Sequence, residues 1–141
     1  MNKVTTTTKI KDITRHWHLI DAKGKILGRI ATEAAQKLMG KSKAYYVSNL
    51  DCGDHVVLIN ADRVEVSGNK EANKKYTNFS GYPGGLRVRT YAEVKKQGAE
   101  EIIVHAVRGM LPKNKLRAEM LKRLHVYNND EHEYAEKFTK N

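Results

Sequence analysis

The densest group of side chains able to bind an anion lies in the eighteen residues 108–125, which we call the basic corner. It reads R-G-M-L-P-K-N-K-L-R-A-E-M-L-K-R-L-H, with six cations against the single acid Glu119, a net +5 in a chain of net +10. Lysine and arginine bind phosphate through charge-assisted hydrogen bonds. Pro112 ends one apolar helical pattern before another begins, and Gly109 is expected to let the chain leave the first helix. The pattern indicates a fixed, basic turn that would bind a polyanion.

Composition narrows the classes of protein to consider. The 141 residues suit one domain, and 26 Lys and Arg against 16 Asp and Glu, with a pI near 9.7, favour a polyanionic partner. A single cysteine, Cys52, excludes an internal disulfide and a multi-cysteine zinc site. No apolar run suits a bilayer or a signal peptide, so we expect a cytoplasmic protein without a membrane partner. His16 and His18 share a strand face, but they lack a third ligand for a metal.

The helices and strands predicted around these residues form a mixed α/β domain. Apolar residues at helical spacing predict a helix over 26–39, with Gly40 as its C-cap. The continuously apolar run 55–59 predicts a central strand that is buried on both faces. Shorter strands are predicted at 17–20, 64–66, 86–89 and 125–127, and helices at 91–97, 99–110 and 116–124, the first opened by a Thr90–Glu93 capping box.

Gly40-Lys41-Ser42 also matches a relaxed phosphate-loop pattern, which would make the protein a small nucleotide-binding α/β enzyme. A phosphate loop follows a strand and opens a helix, whereas this tripeptide follows the last turn of a predicted helix. Asp51 and Asp54 have no serine or histidine placed to complete a triad, and are expected to be solvated or capping. We therefore expect no catalysis, no cofactor and no small-molecule substrate.

A second basic region covers residues 70–89. Lys70, Lys74 and Lys75 precede the aromatic residues 76, 79 and 82, and a Tyr-Pro-Gly-Gly loop leads into Arg87 and Arg89. Cations interleaved with aromatic residues are typical of RNA-contact surfaces, and glycines admit close approach of the backbone. The alternative is an edge strand protected by charge, with half-buried tyrosines. The uniform sign of the charge favours RNA contact.

The chain ends are predicted to lie outside a single domain at residues 16–127. Residues 1–15 form a basic segment that is either a frayed terminus or an arm that becomes ordered on its partner. Residues 128–141 form a polar tail of mixed charge, which we expect to be loosely ordered. We find no internal repeat and no second domain.

Six motifs in series resemble the bacterial large-subunit ribosomal protein thirteen family over residues 15–127. They are Trp17-His-Leu-Ile-Asp-Ala, Gly24-Lys-Ile-Leu-Gly-Arg29, Asp51-Cys-Gly-Asp54, Val66-Ser-Gly-Asn-Lys70, Ser80-Gly-Tyr-Pro-Gly-Gly-Leu86 and Val107-Arg-Gly-Met-Leu-Pro-Lys-Asn114. Each motif alone is weak, but their order and spacing together are specific.

The resemblance implies a three-layer α/β/α domain around a mostly parallel four-stranded sheet. It also implies a structural component of the large ribosomal subunit that binds large-subunit rRNA directly, supports early subunit assembly and touches neighbouring ribosomal proteins. Together with the basic regions, it gives the predicted RNA-binding residues: Arg15, Lys41, Lys43, Lys70, Lys74, Lys75, Tyr82, Gly84, Gly85, Arg87, Arg89, Arg108, Lys113, Lys115, Arg117, Lys122 and Arg123.

Overall fold

A computed structural model describes residues 6–138 and has a mixed α/β architecture. Its strands are β1 (Trp17–Asp21), β2 (His55–Ile59), β3 (Lys75–Phe79), β4 (Leu86–Thr90) and β5 (Leu124–Val126). Its helices are α1 (Leu27–Met39), α2 (Lys70–Asn73), α3 (Tyr91–Gln97), α4 (Ala99–Met110), α5 (Leu116–Lys122) and α6 (Ala135–Phe138), with 3-10 turns at Ile10–Asp12 and Ala61–Arg63. No helix within residues 6–138 is both long enough and apolar enough to cross a bilayer.

The central sheet is parallel, with strand order β1-β2-β5. Val56 of β2 pairs with His18 on one side and Leu124 on the other, so β2 is the middle strand. Val56, Val57 and Leu58 have no exposed surface, which confirms the prediction of a strand buried on both faces. The predicted four-stranded sheet has three strands in the described residues. Residues 64–66 contribute a single parallel bridge, Ile26 with Glu65, in place of the expected strand.

The two faces of this sheet are covered differently. Ile20, Val56 and Leu58 join the main core, which the buried faces of α1, α3 and α4 complete. On the opposite face, Trp17 stacks on His55 with 4.2 Å between the ring centroids, and Tyr134 from the C-terminal tail packs against Trp17 at 4.8 Å. The expected third layer is therefore supplied by the tail and the short α6 in the described residues, rather than by a long helix.

The described parts of both chain ends pack on the domain. The Thr8 hydroxyl donates to the carbonyl of Tyr45 at 2.8 Å, and the Asn60 N–H donates to the carbonyl of Asn129 at 3.0 Å. Residues 1–5 and 139–141 of the predicted arm and tail lie outside the described residues. The tail up to residue 138 is thus more closely packed than its polar composition indicated.

The helices that lead to the basic corner, α3 and α4, have the predicted bounds, but Gly109 does not have its predicted role. The Thr90 hydroxyl accepts a hydrogen bond from the Glu93 N–H, and the Glu93 carboxylate accepts one from the Thr90 N–H, which confirms the capping box. Gly109 lies inside α4, so it does not end that helix. The chain leaves at Leu111, which is extended, because the following Pro112 disfavours helical backbone at the residue before it.

The second sheet is an antiparallel hairpin of β3 and β4, which we call the hairpin (residues 75–90). Its register pairs Lys75 with Thr90 and Phe79 with Leu86. Only β4 was predicted, because β3 reads Lys-Tyr-Thr-Asn-Phe and shows no clear apolar alternation. The Tyr91 N–H donates to the Lys74 carbonyl at 2.9 Å, which joins the base of the hairpin to the start of α3.

Candidate nucleic-acid interface

Five of the six cations in the basic corner lie at the surface. Arg108, Lys113 and Lys115 are exposed and Arg117 is half-buried. Within residues 6–138, the side chains of these four residues form no hydrogen bond or ion pair. The fifth, Lys122, pairs with the exposed Glu119 of the same helix at 2.9 Å. The bend between α4 and α5 therefore presents several cations that are available to an external anion.

The sixth cation of the corner, Arg123, is directed inward and is only 8% exposed. Its guanidinium forms a bidentate pair with the Asp51 carboxylate, with Nη2 2.6 Å from Oδ1, and also donates to the backbone carbonyls of Leu38 and Asp54. A guanidinium with these donors committed to the protein is not available to phosphate in this conformation. The RNA contact predicted for Arg123 stays a prediction, and the structure gives its guanidinium an internal role.

Lys43 is also directed inward. Its Nζ lies 2.5 Å from Asp54 Oδ1 and donates to the carbonyls of Thr14 and Cys52 at 2.6 and 2.8 Å. Burial alone would raise the pKa of Asp54, but hydrogen bonds from Lys43, the His16 N–H and His18 outweigh it and hold that pKa below its usual 3.8. The structure therefore uses Lys43 to neutralise a buried carboxylate, and the RNA contact predicted for it stays a prediction.

Arg15 completes this group, since it donates to the carbonyls of Gly53 at 2.6 Å and Asp51 at 3.1 Å. We call Arg15, Lys43, Asp51, Asp54 and Arg123 the internal charge cluster. Arg15, Asp51, Asp54 and Arg123 shortly precede the N-terminal ends of β1, β2 and β5, and Lys43 reaches them from the loop after α1. Asp51 and Asp54, expected to be solvated or capping, are the two anions of the cluster. In a very basic chain, acids next to the start of a fully buried strand indicate that they pair with cations inside the protein.

The backbone around Gly40-Lys41-Ser42 is used to end α1. Gly40 has the left-handed φ of +75° that was predicted for a C-cap, and its N–H donates to the carbonyls of Gln36 and Lys37. The Lys41 N–H also donates to Gln36. Because these N–H groups are bonded to the end of their own helix, they cannot form a phosphate loop. The Lys41 side chain is exposed and remains a candidate RNA contact.

The hairpin and the basic corner meet at a recess of about 610 Å³. Arg87, Arg89 and Arg108 line it, together with Glu101 and His105 of α4. Arg89 is partly neutralised there, since its Nη2 lies 2.6 Å from Glu101 Oε1. The structure thus brings together two regions that are far apart in sequence. Lys70 and Lys75 are exposed but do not line this recess, whereas Lys74 is half-buried against the ring of Tyr76.

The two glycines of the Tyr-Pro-Gly-Gly loop, at the tip of the hairpin, have different surroundings. Gly84 has a φ of +72° and open space where a Cβ would lie. At Gly85, a Cβ would come within 1.9 Å of Ser80 Oγ, so the missing side chain allows the loop to pack on itself. Tyr82 is 75% exposed at this tip. Tyr82, Pro83 and Gly84 are exposed, whereas Gly85 is half-buried.

Comparison with known proteins shows the family of this chain. The family model for ribosomal protein L13 matches residues 15–133. The chain belongs to the ribosomal protein L13 family. It is 50% identical over 131 residues to the large ribosomal subunit protein uL13 of Dehalococcoides mccartyi, a match covering 93% of this chain and 92% of that protein. It is 48% identical to uL13 of Geobacillus kaustophilus, covering 92% and 90%, and 47% identical to uL13 of Streptomyces griseus, covering 93% and 89%.

Membership of the L13 family confirms the resemblance drawn from the six motifs. It also places the chain among structural ribosomal proteins rather than enzymes, as expected from the sequence. The family match extends to residue 133, beyond the predicted domain end at 127 and into the tail that carries Tyr134 next to Trp17.

Proposed function

We propose that the protein is a structural component of the large ribosomal subunit, where it binds large-subunit rRNA directly and supports early assembly. The large subunit is the particle named for each relative described above. The observation that carries direct RNA binding is the basic corner, where Lys113, Lys115 and Arg117 have no partner within residues 6–138. Cations held at a fixed bend without internal counterions release the counterions of RNA when they bind it.

The proposed contact surface combines the corner with the hairpin and the end of α1. It comprises Lys41, Lys70, Lys74, Lys75, Tyr82, Gly84, Arg87, Arg89, Arg108, Lys113, Lys115, Arg117 and Lys122. Arg123 and Lys43 are omitted because their donors are bound inside the protein, and Arg15 because it bonds the carbonyls of Asp51 and Gly53. An extended surface of this kind suits the shape and backbone of folded RNA better than a point-like nucleotide. Contacts with neighbouring ribosomal proteins belong to the same proposal.

The test is equilibrium binding of the purified chain to in vitro transcribed large-subunit rRNA over a range of salt concentrations. Replacing Lys113, Lys115 and Arg117 together by alanine is expected to weaken binding. It should also flatten the slope of log affinity against log salt by about 2 to 3, since each phosphate contact contributes roughly 0.7 to 0.9.

A matched control is the Lys23→Ala, Lys25→Ala, Arg63→Ala variant, which removes the same charge from exposed positions outside the proposed surface. It should retain most of the affinity and nearly the full slope. Equal slopes for the wild type and the corner variant would exclude these three residues from the interface.

A further inference from the structure

The hairpin exposes an unusual amount of apolar surface on one face. Phe79 is 62% exposed, Leu86 60% and Val88 49%, and Phe79 and Leu86 are directly paired across the strands. Val88 lies on the same face, two residues along β4, and Tyr82, in the loop that joins the two strands, is 75% exposed. Contiguous exposed apolar patches mark interaction sites on soluble proteins.

The opposite face of the hairpin is already occupied. Tyr76 packs edge-on against His105 of α4 with 5.1 Å between the ring centroids, and Arg89 bonds Glu101 and Gln97. These contacts, with the Tyr91 to Lys74 backbone bond at its base, hold the hairpin against α3 and α4. Its apolar face is therefore directed outward on an anchored element and is not covered by any part of residues 6–138.

The charge around this face indicates what covers it. Residues 72–92 contain the cations Lys74, Lys75, Arg87 and Arg89 and no acid. Lys75 lies on the apolar face itself, about 13 Å along the strand from Phe79. A protein partner for such a surface would need acidic groups around an apolar centre. An unpaired nucleotide supplies a flat base and a phosphate in a single unit, and bases stack on aromatic rings whatever their identity.

We propose that the outer face of the hairpin binds unpaired nucleotides of the RNA, with bases stacked on Phe79 and Tyr82 and packed against Leu86 and Val88. Lys75 then faces the phosphates of the same strand. This inference rests on the proposed function and specifies how one part of the surface recognises RNA. It distinguishes the hairpin, which would bind through stacking, from the basic corner, which would bind through charge.

The test compares two double variants in binding to the same large-subunit rRNA transcript across salt concentrations. Phe79→Ala with Tyr82→Ala removes both rings and most of their apolar surface. Phe79→Leu with Tyr82→Leu keeps apolar bulk and removes only the rings. Phe79 and Tyr82 are both exposed, so the urea unfolding midpoints of both variants should stay close to that of the wild type.

Stacking predicts that both variants bind more weakly, by about 5- to 150-fold for each base that loses its ring. The salt slope should not change, because no cation is removed. This pattern is the opposite of that expected for the corner variant, in which the slope itself decreases.

Three outcomes would overturn the inference. If the leucine variant binds like wild type while the alanine variant is weakened, the surface recognises apolar bulk and not bases. If both variants bind rRNA normally but do not cosediment with large subunits, the face docks a protein. If both behave like wild type in both assays, it has no such role. Failure of the wild-type chain to bind the transcript would instead defeat the proposed function itself, and this inference with it.

Discussion

Arg123 and Lys113 belong to the same basic corner, yet they are placed in opposite ways. The guanidinium of Arg123 is buried against Asp51, whereas Lys113 is exposed and has no partner in residues 6–138. The internal charge cluster contains three cations and two acids, so it contributes only +1 to the charge that RNA would meet. The comparison shows that cations close in sequence can serve either the fold or the interface, depending on whether a carboxylate reaches them.

The largest effect is expected from Arg123→Ala. The change leaves the largely buried Asp51 carboxylate with the longer Arg15 contact at 3.5 Å as its remaining ion pair, and it removes the donors to Leu38 and Asp54. We therefore expect a loss of about 3 kcal/mol in the free energy of unfolding, at the low end of the range for breaking a buried pair. Urea denaturation measures it. Lys113→Ala is the matched control and should change stability by less than about 0.5 kcal/mol. Equal stability of the two variants would mean that the internal charge cluster does not hold the domain together.

Gly53 and Gly109 offer a second contrast between these regions. A Cβ on Gly53 would lie 1.6 Å from the Leu38 carbonyl oxygen and 2.7 Å from the Arg123 guanidinium, while one on Gly109 would meet nothing within 4 Å. Gly53→Ala should therefore cost about 1–3 kcal/mol of stability. Gly109→Ala, inside α4, should add up to about 1 kcal/mol. Thermal unfolding of both variants checks this, and a stable Gly53→Ala protein would contradict the close packing of the cluster.

The pH dependence of the free energy of unfolding tests the pKa values of the two histidines beside the internal charge cluster. Burial lowers the pKa of His55 and His125 below 6.5, and the charge of Arg123 lowers that of His55 further. As the pH falls, these two histidines take up protons in the unfolded chain before they do so in the folded chain. They therefore do not reduce the free energy of unfolding above pH 6.5, and they reduce it as the pH falls below that value. We expect a loss of about 1 kcal/mol between pH 7.5 and 5.5 in urea titrations, allowing for partial screening. Asp54 does not contribute there, since its pKa lies below 3.8.

His55→Gln with His125→Gln is the control for this measurement and should reduce the difference between the two pH values. An equally large difference in that variant would assign the effect to other groups.

The smallest effect is expected at the exposed pair of Lys122 and Glu119. Glu119→Gln removes a surface ion pair, which is worth roughly 0.3–0.5 kcal/mol of stability. It also frees Lys122, so the salt slope for rRNA binding should steepen by at most about 0.9. Parallel urea and binding titrations measure both. A stability loss as large as that of Arg123→Ala would remove the distinction between buried and exposed pairs.

Local patterns predicted much of the fold. The helical spacing of 26–39, the cap at Gly40, the apolar run 55–59 and the Thr90 capping box were all confirmed, because each depends on residues only a few positions apart. β3 was missed because its side chains do not alternate, and the strand at 64–66 was overpredicted from two valines. The buried state of Lys43 and Arg123 could not be read from the basic character that they share with their exposed neighbours.

The sequence by itself determined the net charge of +10, the main helix and central strand, and the six motifs that identify the family. Only the tertiary structure decided which cations are paired inside the protein, because the pairing of Arg123 with Asp51 joins residues 72 positions apart. Such a pair depends on how β2 and β5 are aligned in the sheet. The same is true of the exposed face of the hairpin, since the packing of Tyr76 on α4 determines which side of the two strands is left uncovered.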